Sequence, residues 1–377
     1  MDTKIIYKIE RNENVEALRG IAILCMLIYH YSVTVVEGNL SYNTFMILEA
    51  LGQVGLIGFI VISGYGSFCY FDKQVNAGAK VSMGQFIKRR LKGILPQYWF
   101  CLLVVLLFTT NIGFLSIDNI KHVMVYLLLL QDFFPESQGA INGATWTLAT
   151  IFHLYFFAVP LFKLVKRWGI KSYFISVLFS IGFKLILTSI ITGKDLSDLY
   201  YLWASIRLPF SVIDLFIAGM CVAMLSNNIR EKNVKTNNLV IGFTCIILFI
   251  AMIVFFLTYS KIFPVLYGDK IHNNIWQSII GLIYSVLLYF GTFFTFNYKS
   301  LIGRLVQLIS KNEFGIYLWH MPLIGNIVIY QPELYLIIKN KSDYAAIIIL
   351  VILAVIWGIT VSRIITGFSK NEASMKG

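Results

Sequence analysis

Charge is what this 377-residue chain has least of. Only 13% of its residues are Asp, Glu, Lys or Arg, about half the share of a soluble domain, which excludes an ordinary soluble globular protein. Cysteine is scarce as well. Cys25, Cys69, Cys101, Cys221 and Cys245 are odd in number and contain no CxxC pair, so a disulfide framework and a paired-cysteine metal site are both excluded. They read as reduced packing residues. Strict apolar–polar alternation is missing, which disfavours a transmembrane β-barrel. No small-residue cleavage pattern follows the first apolar run, so no cleavable signal peptide is expected. No internal repeat or low-complexity stretch breaks the chain, and residues 1–377 are expected to form one domain.

What the chain has is apolar length: 58% hydrophobic residues and a mean hydropathy of +0.75. Runs of 18 or more apolar residues recur throughout, which reads as an all-α, polytopic membrane protein. Ten stretches are candidate spans: 17–36, 44–70, 96–114, 146–165, 172–192, 201–225, 239–257, 275–296, 314–329 and 344–368. Residues 119–133 are apolar but short, and Pro135, Gly139 and Gly143 follow them. Charge decides how this piece is read. If it dips in and returns as a re-entrant segment after the third span, 22 of the 31 Lys and Arg residues flank one side. Six then flank the other, and Arg19, Lys184 and Arg207 lie within spans. That bias puts both termini in the cytoplasm. Irregular backbone at membrane depth is tolerable where it lines a protein or water cavity. The net charge of +12 therefore reports topology. The expected partner is a lipid bilayer, the cytoplasmic membrane, and no nucleic acid. The sequence leaves a homo-oligomer open.

The first span carries Arg19 and His30. Eleven residues apart, they fall roughly 20° apart around a helix and about 16 Å apart along it. Arg19 then sits near the surface and His30 near mid-bilayer, where an ionisable group usually lines a cavity or polar path. The ninth span opens on Glu313, Tyr317 and His320, which share a face at steps of four and three. Two buried histidines on different spans, with acids nearby, suit a proton-handling or acyl-transfer site. Neither histidine has an i, i+4 His or Glu partner, so no metal site is expected. Arg207 and Asp214, seven apart on the sixth span, are expected to share a face, as a buried pair fixing registry or as functional groups. The glycine row Gly52, Gly55, Gly58, Gly64 and Gly66 reads as close helix packing. Pro96 suits the first turn of the third span. Ahead of it, Lys88, Arg89, Arg90 and Lys92 either hold phosphates or simply obey the positive-inside rule.

Four blocks, in order from Leu18 to Pro322, together resemble membrane acyltransferase family 3, integral membrane O-acyltransferases of sugars and cell-surface glycans. They are Leu18-Arg-Gly-Ile-Ala with Tyr29-His30, then Gly58-Phe-Ile-Val-Ile-Ser-Gly-Tyr65, then Lys88-Arg-Arg-Leu-Lys-Gly-Ile-Leu-Pro-Gln-Tyr-Trp99, then Gly315-Ile-Tyr-Leu-Trp-His-Met-Pro322. Trp146-Thr-Leu with His153-Leu-Tyr155 is a weaker fifth. The family's ten-span plan with a re-entrant segment after the third resembles the layout that charge implies. The resemblance implies that His30 is the essential histidine and Arg19 its basic partner. It also implies a cytoplasmic acyl-CoA donor, usually acetyl-CoA, and an acceptor hydroxyl on an extracytoplasmic glycan or lipid-linked saccharide. Lys88, Arg89, Arg90 and Lys92 are then expected to bind the donor. Trp146, His153, Tyr155, Tyr317, His320 and Glu313 are expected substrate or support groups. Gly93 stands where relatives commonly have a second arginine, and Ile151 where they commonly have a glutamate. The alternative is a polysaccharide exporter or flippase on the same scaffold without acyl transfer. A proton-coupled transporter fits the buried histidines but fits the basic block less well.

Overall fold

The computed structural model describes residues 12–36, 41–108, 117–193, 200–201, 203–230, 237–262, 274–294, 297–340 and 342–375. The basic N-terminal residues Lys4, Lys8 and Arg11, and the loop residues Pro264, Asp269, Lys270 and His272, lie outside the described residues. Among the described residues there are helices and no strands. The helices are α1 (Glu13–Val36), α2 (Tyr42–Asn76), α3 (Met83–Phe108), α4 (Ile117–Leu127), α5 (Trp146–Trp168), α6 (Lys171–Gly193), α7 (Ile213–Arg230), α8 (Asn238–Ile262), α9 (Trp276–Gly291), α10 (Leu301–Lys311), α11 (Glu313–Tyr330), α12 (Pro332–Lys339) and α13 (Asp343–Met375). Seven of them, α1, α2, α3, α5, α6, α8 and α13, are long and apolar enough to cross a membrane. The helices α11 and α12 form a pair bent by 96°, and α7 and α9 are shorter apolar helices. Each of the ten expected stretches carries a helix, although the sixth is interrupted.

Two expectations change. The sequence reads Pro96 as the first turn of the third span, but α3 begins at Met83, where Ser82 Oγ accepts from the Gln85 N–H at 3.3 Å and caps it. Pro96 therefore lies inside the helix at the loss of one i→i−4 bond, and the Lys88–Lys92 run is helical. The sixth stretch is not one continuous helix. Pro209 drives Leu208 to φ −81°, ψ 142°, leaving a π turn at Trp203–Arg207 and a 3₁₀ turn at Pro209–Ser211 before α7. Arg207 and Asp214 consequently go to different surroundings. Asp214 is buried and accepts from Ser278 Oγ at 2.6 Å. Nearby, buried Lys184 donates to Gln277 Oε1 at 2.8 Å, tying α6 to α9.

The pattern of polarity is that of a protein in lipid. Leu178, Ile186, Ile247 and Ile348 are exposed, while Glu49, Lys184, Asp214 and His320 are buried. The helix α2 lies at the centre, packed on α1, α5, α7, α8 and α9. Its glycines explain why. Gly52 lies against Tyr29, Gly55 against the Ala22 carbonyl and Gly58 against Tyr284. A Cβ on Gly64 would strike the Phe216 carbonyl, and one on Gly219 the Val61 carbonyl. The backbones of α2 and α7 thus touch directly, as small residues allow. Gly219→Val forces them apart, an overpacking cost of about 1–3 kcal/mol or more. We expect it to remove the monodisperse peak of detergent-extracted protein on size-exclusion chromatography. Gly182→Ala, where a Cβ meets nothing within 4 Å, leaves that peak unchanged.

Candidate active site

Helices α1 and α11 bring two imidazoles together. His30 Nδ1 and His320 Nε2 are 2.8 Å apart, with ring centroids 5.0 Å apart and planes 10° from parallel. His320 Nδ1 lies 2.6 Å from the Tyr317 carbonyl oxygen one turn earlier. Tyr31, next to His30, donates its hydroxyl to the His320 carbonyl at 2.9 Å. His320 is fully buried. His30 lines a cavity of about 400 Å3, with Tyr29, Glu49, Gln53, Trp146, Thr147 and Arg207 among its walls. Gln53 donates to Glu49 Oε1 at 2.7 Å. The Arg207 guanidinium stands 5.0 Å over the Trp146 ring and bonds Gln138 Oε1.

A second cavity, of about 340 Å3, is lined by Arg19, Arg89, Arg90, Tyr155, Glu313 and Tyr317 among others. Arg19 Nη1 meets Glu313 Oε1 at 3.3 Å and Glu16 Oε2 at 3.5 Å. Glu313 sits in the first turn of α11, where the helix dipole favours an acid. The Arg90 guanidinium lies 4.7 Å over Tyr155 and 5.0 Å over Phe86, and that of Arg89 lies 5.3 Å over Tyr70. Helical periodicity splits the basic run. Arg90 shares the inward face with buried Phe86 and Gln97, whereas Lys88 and Lys92 turn outward and are exposed. Thr147 lines both cavities.

The stretch between α4 and α5 is irregular yet bonded throughout the fold. Gln131 Nε2 donates to Tyr98 Oη at 3.0 Å, Trp203 Nε1 to the Asp132 carbonyl at 2.7 Å, and Tyr317 Oη to the Ala144 carbonyl at 2.6 Å. Pro322 has no N–H, so the Leu318 carbonyl lacks its usual i+4 donor. Asn142 Nδ2 supplies one at 3.0 Å. These bonds pin the stretch to α11 and deliver Ala144, Trp146 and Thr147 to the His30 cavity. On its exposed side, Lys121 donates to Glu136 at 2.8 Å.

Of the residues singled out in the sequence, His30 and Trp146 line the first cavity, and Arg19, Arg89, Arg90, Tyr155, Glu313 and Tyr317 the second. His320 backs His30. Lys88 and Lys92 are not among the lining residues. His153 lies elsewhere, with Nδ1 2.8 Å from Asp132 Oδ2 and its ring against Phe133 and Phe156. Sequence reasoning missed Gln53, Asn142 and Thr147, and it assigned no role to Glu49 or a cavity to Arg207. The Glu49–Gln53 pair did carry a signal, two polar residues at i, i+4 inside an apolar run. Among the described residues, no three His, Cys, Asp or Glu side chains group as a metal site requires.

A family model described as an acyltransferase domain matches residues 12–365. The O-acetyltransferase OatA of Staphylococcus aureus strain NCTC 8325 / PS 47 is 24% identical to this chain over 360 residues. The match covers 88% of this chain and 55% of that protein. The same protein from strain COL matches equally. The chain spans about half the length of the curated relatives it matches. No solved structure matches it significantly.

The Asn142–Leu318 bond has a measurable consequence. Asn142→Leu leaves the buried Leu318 carbonyl with only the Cys101 thiol, a weak donor at 3.5 Å, at a cost of about 1–3 kcal/mol. A lowered melting temperature of the detergent-solubilised protein is expected.

Proposed function

Taking as premise that this chain belongs to the acyltransferase domain family matched over residues 12–365, we propose that it transfers an acyl group, acetyl first, from cytosolic acyl-CoA to a hydroxyl of an extracytoplasmic glycan or lipid-linked sugar. The observation that carries this reading is the shared wall at Thr147, with arginines on one side and His30 on the other. The name O-acetyltransferase on its relatives agrees with it.

The chain crosses the cytoplasmic membrane ten times in this reading, with both termini in the cytoplasm. The seven long helices, the bent α11–α12 pair and the shorter α7 and α9 supply the crossings. Residues 117–145 form the re-entrant segment. The 22 to 6 division of basic residues supports that orientation, and it puts the Arg19, Arg89 and Arg90 cavity toward the cytosol.

Acyl-CoA supplies the acyl carbon and a thiol leaving group. Arg89 and Arg90 fit its phosphates, because guanidinium groups bond phosphate in bidentate fashion. Arg19, oriented by Glu16 and Glu313, fits a place nearer the thioester. His30 acts as general base, taking the acceptor's hydroxyl proton as oxygen bonds the acyl carbon and the carbon–sulfur bond breaks. It then returns that proton to sulfur. Trp146, Glu49 and Gln53 offer an aromatic face and polar groups to a sugar.

General-base help is worth about 10²–10⁴-fold. His30→Ala is expected to reduce transfer of labelled acetyl from acetyl-CoA to envelope glycan by that factor, with the folded protein retained. Normal O-acetyl mass on surface glycan from cells carrying only this variant contradicts the role. Arg90→Glu is expected to raise the KM for acetyl-CoA more than it lowers kcat at saturation.

A further inference from the structure

A carbonyl oxygen accepts hydrogen bonds and never donates them. The Tyr317 carbonyl oxygen lies 2.6 Å from His320 Nδ1, so that nitrogen carries the hydrogen. A neutral imidazole has one N–H and one lone pair. His320 Nε2 is then a lone pair, and it faces His30 Nδ1 at 2.8 Å. The hydrogen between the rings therefore belongs to His30 Nδ1. That leaves the His30 lone pair on Nε2, the other edge of a ring that lines the 400 Å3 cavity.

We propose that His320 is a positioning residue that holds His30 as the Nδ1–H tautomer and so turns a basic Nε2 to the acceptor hydroxyl. The inference rests on His30 being the general base. Its partner is itself held in place. Tyr31 fixes the His320 backbone through the carbonyl, full burial removes competing water, and the Tyr317 carbonyl fixes the ring's own tautomer. When Nε2 takes the acceptor proton, His30 becomes an imidazolium. The His320 lone pair then stabilises its Nδ1–H, and the Tyr317 carbonyl extends that dipole chain. The arrangement does with a second imidazole what a carboxylate does for the histidine of a hydrolase triad. The proton leaves again from Nε2 to the departing sulfur, so His30 ends in the tautomer it began with.

The test compares three variants in acetyl transfer from acetyl-CoA. Glutamine places an oxygen near the position of the lost Nε2, phenylalanine fills the ring's space without a lone pair, and asparagine carries its oxygen too far back. His320→Gln is expected to retain kcat within about tenfold, whereas His320→Phe and His320→Asn lose about 10²-fold or more, the scale of misoriented base catalysis. The KM for acetyl-CoA stays within about twofold in all three, because the donor cavity is not lined by His320. A phenylalanine variant with wild-type kcat overturns the proposal, since a ring that merely packs would be replaced without loss. A readout that needs neither activity nor a folded variant of His320 comes from wild-type protein labelled with ¹⁵N-histidine in lipid nanodiscs. The His30 signal, identified by its loss in His30→Gln, is expected to show the proton on Nδ1; a proton on Nε2 in the resting protein overturns the tautomer assignment. The parent reading fails separately: if His30→Ala transfers acetyl normally, His30 is not the base, whatever its tautomer.

Discussion

The 2.8 Å contact between His30 and His320 demands that α1 and α11 keep one fixed register, and much of the surrounding structure serves that demand. Arg19 and Glu313 join the two helices at one end. Tyr31 and the His320 carbonyl join them beside the imidazoles. At the far end, Tyr335 of α12 donates to the Val35 carbonyl of α1 at 3.3 Å. A hydrogen bond between neutral groups tolerates a few tenths of an ångström, so a slip of α11 by one residue would unmake it. In a lipid-bounded interior, water does not replace the lost partner.

The same constraint explains how irregular chain survives inside the fold. Breaks in the helices free carbonyls, and at two of them a side chain from another element takes the oxygen. Pro322 frees Leu318, and Asn142 answers. Where Pro209 ends the π turn, the Arg207 carbonyl accepts from Thr150 Oγ1 at 2.7 Å. These two bonds set the positions of the α4–α5 stretch and of the 203–207 turn. Those segments carry Ala144 and Arg207 to the His30 cavity, where α5 adds Trp146 and Thr147. The breaks in regular structure therefore shape the site.

Much of the fold was legible because lipid imposes a simple rule on sequence. Continuous apolar runs mark helices, and α1, α5 and α8 follow them closely. The glycine row of α2 reads as packing, and Gly52, Gly55, Gly58 and Gly64 serve it, whereas Gly66 meets only the Arg90 side chain at 3.9 Å. Pro96 and the sixth stretch were misread because hydropathy is blind to where a helix starts and breaks; Ser82 and the Leu208-Pro209 step hold that information. At the site, the eleven-residue step from Arg19 to His30 put both on one face, and each does line a cavity. The basic run reads as a unit in the sequence, but Arg89 and Arg90 line the cavity whereas Lys88 and Lys92 do not, and of the four Arg90 alone shares the inward face of Phe86 and Gln97. His153 was grouped with Trp146 by nearness in sequence, yet it turns to Asp132. Asn142 matters through a bond to Leu318, 176 positions away, and Thr147 by lining both cavities, and no local pattern announces either.

In the reading proposed above, donor and acceptor meet where Thr147 separates the arginine cavity from His30. An experimental structure of the lipid-embedded protein with a non-transferable thioether analogue of acetyl-CoA tests it most directly. Phosphate density is expected at Arg89 and Arg90, with the acyl end at Thr147 pointing toward His30. An analogue whose acyl end lies outside both cavities, with His30 walled off from it, would rule out transfer at Thr147.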